Sequence, residues 1–209
     1  VVLLIMLLLL LLLIECKDVK LLLLIMVMSC VFLIVNVDIN LKRNEQKEMI
    51  IYSINNTTAI DFISGGEHLI LSDTVFINDK SAFSYNIENF LIKKGLYHAV
   101  KCKLLHEDFD ENFVKKRKNV VTFDEKLIGL SDGSVFSREE LSYKIPLDYM
   151  LVYGSKRQTL SYLLNVYNFD YLIIDGSVPY YLTSRLIDEA DALGIKYHNI
   201  REDGAFLMK

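Results

Sequence analysis

The chain opens with two leucine-rich apolar segments, Val1–Ile14 and Leu21–Val37, which only six mostly polar residues separate. A helix that spans a bilayer needs roughly 20 mostly apolar residues to cross about 30 Å of hydrocarbon. The second segment approaches that length, and the first begins with Val rather than Met, so we expect further residues before it. The pattern predicts a transmembrane helical hairpin over residues 1–37, which is the end of a larger membrane domain.

A secretory signal peptide is the main alternative for this region. Such a peptide has a basic start, one short apolar run and a cleavage site with small residues. No basic stretch precedes the first apolar segment here, and the second segment follows almost at once. These features favour the spanning hairpin over a signal peptide or a buried hydrophobic hairpin.

After a charged linker at residues 38–48, the pattern changes to short runs in which β-branched and aromatic residues predominate. Asn55-Asn56 and Gly65-Gly66 separate the first three runs, and these residue types tolerate the backbone of a tight turn. The predicted strands are Met49–Ile54, Thr58–Ile63, Glu67–Ser72, Val120–Phe123 and Leu127–Leu130. A short helix is predicted at Asn86–Lys94, ended by Gly95.

From Asp148 onward the pattern alternates between strand and helix. The predicted strands are Asp148–Tyr153, Tyr171–Ile174, Ile195–Ile200 and Gly204–Met208. Alternation at this spacing predicts right-handed crossovers and a largely parallel sheet. The fold class is therefore mixed α/β, with a strand-rich half followed by a βαβαβ half in one domain over residues 49–209.

Two helices connect these strands. Apolar residues at helical spacing predict the first over Lys156–Tyr167, with Ser155 as a candidate N-cap. The second begins near Ser177, another candidate N-cap, and Pro179, and it ends at Gly194. The residues predicted to face the core are Leu160, Leu163, Leu164 and Tyr167 in the first helix and Leu182, Leu186, Ala190 and Leu193 in the second.

The charge balance limits the kinds of partner. The chain carries 23 Lys and Arg residues against 27 Asp and Glu residues, and residues 37–209 hold the whole net charge of −4. An acidic domain has no general attraction for nucleic acid, because binding to a polyanion depends on Lys and Arg side chains that release counterions. The three cysteines, at 16, 30 and 102, have neither a metal-binding spacing nor a disulfide pattern.

Few residues are candidates for catalysis. The four histidines, His68, His98, His106 and His198, are too far apart to form an HxH, HxxxH or HExxH metal motif, so we expect structural or surface roles for them. Three carboxylates are predicted at strand ends, where catalytic groups and turn formers both occur: Asp61, Asp73 and Asp175. Ser155 follows a strand but lacks the second glycine of a nucleophile elbow.

Several segments in order resemble the C-terminal region of ComEC-type DNA-uptake (competence) proteins. The first, Ile50–Ile54 followed by Thr58–Gly65, resembles the segment after the last membrane helices in one branch of that family. The ending is similar as well, through Phe169–Ser177, Tyr180-Tyr181-Leu182, Ala192–His198 and Asp203–Phe206. The likeness covers essentially the whole chain.

The resemblance implies a polytopic protein of the bacterial inner membrane that takes part in DNA uptake, with its C-terminal domain on the outer face. It also implies a metallo-β-lactamase-like αββα sandwich, whose catalysis requires an HxHxDH motif to hold two metal ions. The corresponding place, Gly154–Thr159, contains neither histidine nor carboxylate. We therefore expect a degenerate domain with no metal cofactor and no catalytic residue.

Two main functions follow from these observations. In the first, the domain is a non-catalytic accessory of a DNA-translocating membrane protein, and its partners are membrane lipid, single-stranded DNA and other components of the uptake machinery. The candidate phosphate contacts are Lys101, Lys103, Lys115, Lys116, Arg117 and Lys118. In the second, the chain is a membrane-anchored hydrolase, a nuclease or phosphodiesterase, built around Asp61, Asp73 or Asp175. An anchored structural domain with no nucleic-acid role is a third reading.

Overall fold

The computed structural model describes residues 19–88, 90–91, 101–134 and 141–208. The chain divides into two compact units, Val1–Gln46 and Lys47–Lys209. The first predicted apolar segment, Val1–Ile14, lies outside the described residues, and so do residues 89 and 92–94 of the helix predicted at Asn86–Lys94.

The described part of the first unit is one helix, α1 (Val19–Glu45), of 27 residues. It contains the second apolar segment and continues through residues 38–45, which the sequence indicated as a charged linker. Many of its large apolar side chains are exposed, among them Leu23, Met26, Leu33 and Ile34. Within the described ranges, no helix meets the combined length and hydropathy needed for a membrane span. The predicted transmembrane hairpin is therefore not confirmed.

The second unit begins with a five-stranded sheet. Its strands are β1 (Lys47–Ile51), β2 (Ala59–Ser64), β3 (Glu67–Ser72), β4 (Lys101–Leu104) and β14 (Phe206–Met208), in the order β14-β1-β2-β3-β4. All neighbours are antiparallel except β3 and β4. The C-terminal strand thus returns to pair with the first strand of the unit, with Ile50 opposite Leu207.

A seven-stranded sheet faces the first. Its strands are β5 (Phe109–Asp110), β6 (Val114–Arg117), β7 (Val120–Phe123), β8 (Lys126–Ser131), β10 (Tyr149–Val152), β12 (Tyr171–Ile174) and β13 (Lys196–Asn199), in the order β13-β12-β10-β8-β7-β6-β5. Strands β8, β10, β12 and β13 are parallel, and the rest are antiparallel. The short strands β9 (Ile145–Pro146) and β11 (Tyr167–Asn168) form a separate parallel pair.

Helices cover the outer faces of both sheets. The described ones are α2 (Thr74–Asn78), α3 (Lys80–Phe83), α4 (Leu160–Val166), α5 (Tyr180–Leu193) and α6 (Ile200–Asp203), with a π-helical turn at Ser84–Glu88. Helix α5 ends at Gly194, whose φ of 69° is the left-handed conformation of a helix C-terminus.

Three groups of buried side chains show that the second unit has four layers. The largest group lies between the sheets and includes Ile60 and Phe62 of β2, Val121 and Phe123 of β7, and Leu151 of β10. The alternate residues of the same strands point outward, because successive side chains of a strand face opposite sides. They pack against α2 and the turn after it on one sheet, and against α4 and α5 on the other. The result is a helix–sheet–sheet–helix sandwich.

The structure corrects several local predictions. Helix α4 begins at Leu160 rather than Lys156, and its N-cap is Thr159 rather than Ser155. The N-cap of α5 is Pro179, so Ser177 is not a cap either. Leu193, the last residue of α5, is 54% exposed and does not face the core.

Candidate functional site

The parallel strands of the large sheet end at one edge, which we call the strand-end edge. Their last residues are Ser131, Val152, Ile174 and Asn199, and the loops that follow are 132–134, 153–159 and 175–179 together with α6. In open sheets of parallel strands, ligands bind outside the carboxyl ends of the strands. This edge is therefore the candidate functional site.

A buried carboxylate, that of Asp175, lies at the centre of the strand-end edge. Its Oδ2 accepts hydrogen bonds from Thr58 Oγ1 at 2.7 Å and from the Ser177 backbone N–H at 3.0 Å, and also from the Ser177 hydroxyl. Its Oδ1 is buried and has no hydrogen-bond partner among the residues that the structure describes. Burial raises the pKa of Asp175, and the hydrogen bonds from Ser177 and Thr58 oppose that rise.

Two consecutive threonines connect this carboxylate to the smaller sheet. Thr57 Oγ1 donates to Asp73 Oδ2 at 2.6 Å, while Thr58 Oγ1 donates to Asp175. The Ser72 hydroxyl donates to the Thr58 carbonyl at 2.6 Å, which fixes the turn that presents both threonines. Asp73 also caps α2 by accepting the Phe76 N–H at 2.8 Å. The bond from Thr58 to Asp175 thus joins the two sheets at this edge, whereas the bond from Thr57 to Asp73 lies within the smaller sheet's side of it.

The loop after β10 is held in the same way. The Gly154 N–H donates to Ser177 Oγ at 2.9 Å, and the Ser131 hydroxyl donates to Gln158 Oε1 at 2.7 Å. Lys156 Nζ donates to Asp132 Oδ2 at 2.9 Å. This loop is where the hydrolases of the αββα type would carry their HxHxDH motif. It does not fit a pair of metal ions, because it offers an amide, hydroxyls and two cationic side chains instead of imidazole or carboxylate ligands.

Arg201 borders the same edge from α6. Its Nη2 donates to the carbonyl oxygens of Gly176 at 2.7 Å and Val178 at 2.9 Å, so the guanidinium group is fixed on the loop before α5. The first two residues of α5, Tyr180 and Tyr181, are 66% and 68% exposed. Arg157, in the loop after β10, is exposed as well.

Asp61 occupies a different place from the one that the sequence indicated. It lies in the middle of β2, not at a strand end, and its side chain is on the outer face of the five-stranded sheet. Asp61 Oδ2 accepts a hydrogen bond from Tyr52 at 3.1 Å, and Asp61 Oδ1 is 3.5 Å from His68 Nδ1. Burial raises the pKa of Asp61, whereas His68 and Tyr52 lower it. Asp61 is thus a buried group of the smaller sheet and does not join the strand-end edge.

The histidines are dispersed. His68 is buried, and apart from the 3.5 Å approach of Nδ1 to Asp61 its ring nitrogens have no hydrogen-bond partner in the described part of the chain. His198 Nε2 is 2.9 Å from the Gly204 carbonyl oxygen, and His106 is exposed. His98 lies outside the described residues. Among the residues that the structure describes, no three His, Cys, Asp or Glu side chains form a cluster suited to a metal ion.

The candidate phosphate contacts lie on β4, on β6 and in the turn after β6, and acidic side chains accompany them. Lys115 Nζ is 3.0 Å from Asp110, and Arg117 is 3.6 Å from the same carboxylate. On β4, Lys101 and Lys103 lie 3.6 Å and 3.5 Å from Glu111. The positive charge of these four side chains is therefore partly compensated by neighbouring carboxylates.

The remaining two residues of the basic run have backbone or interior contacts. Lys116 is 2% exposed, and its Nζ donates to the Glu107 carbonyl at 3.1 Å. Burial lowers the pKa of Lys116. Lys118 has a positive φ of 51° in the β6–β7 turn, and its N–H donates to Asp108 at 2.7 Å. The alternation of a strand thus turns every second side chain of this run inward.

Sequence reasoning did not identify Thr58, Gln158, Arg201 or the tyrosine pair as members of one site. These residues lie up to 143 positions apart in the chain, between Thr58 and Arg201. The pairing of β10 with β12 and of β12 with β13 brings the loops of Gln158, Arg201 and the tyrosines together, and the contact between the sheets adds Thr58. The one available signal was a position just after a predicted strand, which only Arg201 has.

Comparison with known proteins identifies the family of the second unit. Residues 49–209 match the family model described as the ComEC C-terminal domain. No curated protein and no solved structure gives a significant match. The matched range coincides with the sandwich and includes every residue of the strand-end edge. The chain therefore belongs to the ComEC C-terminal domain family and is a protein related to competence and DNA uptake.

Proposed function

We propose that the sandwich is a non-catalytic accessory domain of a membrane-associated DNA-uptake protein, a degenerate relative of the metallo-β-lactamase-like hydrolases. One observation carries this proposal. The side chains at the strand-end edge are bonded to one another across the two sheets, through Thr58, Asp175, Ser177 and the Gly154 N–H. In a hydrolase the same positions would be free to bind metal and substrate.

Membrane attachment is the second part of the proposal. Helix α1 exposes many large apolar side chains, including Leu23, Leu33 and Ile34 at 59%, 59% and 68%. Exposed apolar area of this extent marks an interaction surface in a soluble environment or in lipid. We infer that lipid covers these side chains in a multi-pass protein of the inner membrane, and that the sandwich occupies its outer face.

In this role the domain contacts incoming single-stranded DNA or another component of the uptake machinery. The acidic net charge restricts any contact with DNA to a local group of cations. Lys101, Lys115, Arg117 and Lys118, which are exposed, and Lys103, which is half-buried, remain candidate phosphate contacts. Lys116 is a weaker candidate because its ammonium group is buried.

The test is a combined measurement of metal content and nuclease activity on the full chain in detergent, with single- and double-stranded DNA and added Mn²⁺ or Zn²⁺. We expect no stoichiometric metal and no cleavage above the buffer control. Asp175→Asn is the matched variant, because it preserves the shape of the side chain and removes its charge. Cleavage that depends on metal and disappears in Asp175→Asn would instead show that the domain is a metal-dependent hydrolase.

A further inference from the structure

We propose that the strand-end edge binds single-stranded nucleic acid, through the rings of Tyr180 and Tyr181 and the guanidinium groups of Arg157 and Arg201. This inference rests on the proposed function and assigns it a surface. It differs from the candidate contacts on β4, the edge strand of the five-stranded sheet, and on β6, which lies toward the opposite end of the seven-stranded sheet from β12 and β13.

The tyrosine pair provides the stacking surface. Both rings are about two-thirds exposed on the first turn of α5, at 66% and 68%. The buried residues of that helix, Leu182, Leu186 and Ala190, lie on its other side and pack on the sheet. Neither tyrosine is needed for that packing. Exposed aromatic rings next to cations are the common feature of surfaces that stack successive bases of a single strand.

Arg201 supplies an oriented cation beside the rings. Its Nη2 is held by the carbonyl oxygens of Gly176 and Val178, directly before the tyrosines. A guanidinium group has five N–H donors in a fixed plane, so the Nη1 and Nε donors remain available. The side chain is exposed, and its orientation is set before any ligand arrives. A phosphate that accepts from this group would lie close to a base stacked on Tyr180.

Arg157 lies on the neighbouring loop. The bond from the Gly154 N–H to Ser177 Oγ joins the two loops, at 2.9 Å. Arg157 is three residues after Gly154, and Tyr180 is three residues after Ser177. Each therefore lies at most about 11 Å along the chain from its end of this bond. In the described part of the chain, Arg157 makes no ion pair, whereas Lys156 is bonded to Asp132. Arg157 is therefore a second exposed cation, on a loop that is bonded to the one before the tyrosines.

Arg157 differs from Lys115 and Arg117 of the basic run because it has no ion pair among the described residues. Near the edge, Asp132 is bonded to Lys156 and Asp175 to Thr58 and Ser177. Glu202 and Asp203 are exposed beside Arg201. On β6, by contrast, Asp110 lies within 3.6 Å of both Lys115 and Arg117. Single strands are favoured over duplex because only unpaired bases expose a face for stacking.

The experiment is fluorescence anisotropy of a labelled oligodeoxythymidine of about 16 nucleotides with the full chain in detergent. Changing both tyrosines to Ala should weaken binding at least about tenfold, the loss expected for two stacked bases. Changing both to Phe keeps the rings and should leave the affinity nearly unchanged. Arg157→Gln should reduce the slope of log affinity against log salt by about 0.7, the value for one phosphate contact on a single strand.

The matched control is the double variant Tyr85→Ala with Tyr143→Ala, two exposed tyrosines outside the strand-end edge, and it should bind as the wild type does. The proposal is overturned if the wild type does not bind, if the Tyr180 and Tyr181 double Ala variant binds equally well, or if the control variant loses as much affinity. Equal affinity for the same sequence as a duplex would also contradict it. None of these results bears on metal content or cleavage, so the proposed function is tested separately.

Discussion

At the scale of single residues, the carboxylate of Asp175 illustrates how a polar group is tolerated between two sheets. A buried charge loses its hydration, and only hydrogen bonds or an opposite charge can offset that loss. The Oδ2 atom of Asp175 accepts three hydrogen bonds, one from Thr58 and two from Ser177. Its Oδ1 atom accepts none from the described residues. Among the described residues no cation pairs with it. The hydrogen bond from the Thr58 hydroxyl therefore contributes more to stability than the same bond would at the protein surface.

Thr58→Val should lower the free energy of unfolding by about 1–3 kcal/mol, the cost of leaving a buried acceptor with fewer donors. Val keeps the shape of the side chain and removes only the hydroxyl. Thr57→Val is the control, because its partner Asp73 is partly exposed and can bond to water. Urea denaturation of the two variants measures the difference. Equal losses would mean that the Asp175 bond has no special role.

The raised pKa of Asp175 also predicts a dependence of stability on pH. Between the unfolded value near 3.8 and the higher folded value, the folded state binds more protons than the unfolded state, so stability falls as pH rises through that range. Asp175→Asn removes this contribution. The fall in unfolding free energy between about pH 4 and neutral pH should therefore be smaller in the variant.

Asp61, whose pKa burial also raises, keeps part of the pH dependence in that variant. Asp175→Asn should therefore flatten the profile without abolishing its slope. Urea titrations at several pH values provide the measurement. Superimposable profiles for wild type and variant would show that Asp175 ionises equally in both states.

At the scale of elements, two glycines with strained backbone conformations differ in how closely other residues surround them. Both have a positive φ, 83° at Gly133 and 69° at Gly194. A Cβ at Gly133 would lie 2.7 Å from Lys156 Cβ and 3.1 Å from the Lys156 carbonyl oxygen, while a Cβ at Gly194 meets nothing within 4 Å. Gly133 therefore fixes how closely the loops after β8 and β10 approach.

Gly194→Ala should destabilise the domain by about 1 kcal/mol, the usual cost of a left-handed non-glycine residue. Gly133→Ala should lose more, about 2–4 kcal/mol, since the crowded neighbour includes backbone that cannot move aside freely. Thermal unfolding of both variants in the same buffer compares them. The interpretation fails if Gly194→Ala is the more destabilised of the two.

The strands that the sequence predicted lie within a few residues of their places in the structure, because alternation and turn residues act locally, but the described strands β4, β5, β6, β9 and β11 were not predicted. The start of helix α4 was predicted wrongly, because Lys156 and Gln158 fit a helical pattern, yet both are used in tertiary bonds to Asp132 and Ser131. Asp61 was predicted at a strand end, but it lies within β2, where Tyr52 and His68 accompany it in the interior. Contacts distant in the chain decided both cases.

At the scale of the whole molecule, the net charge is acidic, but cationic and acidic side chains lie next to one another on the surface. The lysines of β4 and β6 lie beside Asp110 and Glu111 in the segment between those strands. Ion pairs at such exposed positions contribute little to stability, typically below about 1 kcal/mol. Their main consequence is to weaken the attraction of this surface for polyanions.

Asp110→Asn combined with Glu111→Gln should therefore strengthen binding of single-stranded DNA at low salt and change the unfolding free energy by less than about 1 kcal/mol. Anisotropy titrations at several salt concentrations measure the first effect, and the gain should vanish at high salt. Adding Lys115→Gln and Arg117→Gln should cancel it. A gain that persists without those two cations would show that the carboxylates act elsewhere.

The division of the chain at residue 46 leads to a last prediction. All three groups of buried side chains belong to the second unit, and its first and last strands, β1 and β14, pair with each other. A fragment of residues 47–209 should therefore unfold in one cooperative transition without detergent, at the midpoint that the full chain shows for this unit. Calorimetry of both proteins tests this. A shift of more than about 4 °C would correspond to at least about 1 kcal/mol of coupling to the first unit, and the sandwich would then not be an independent domain.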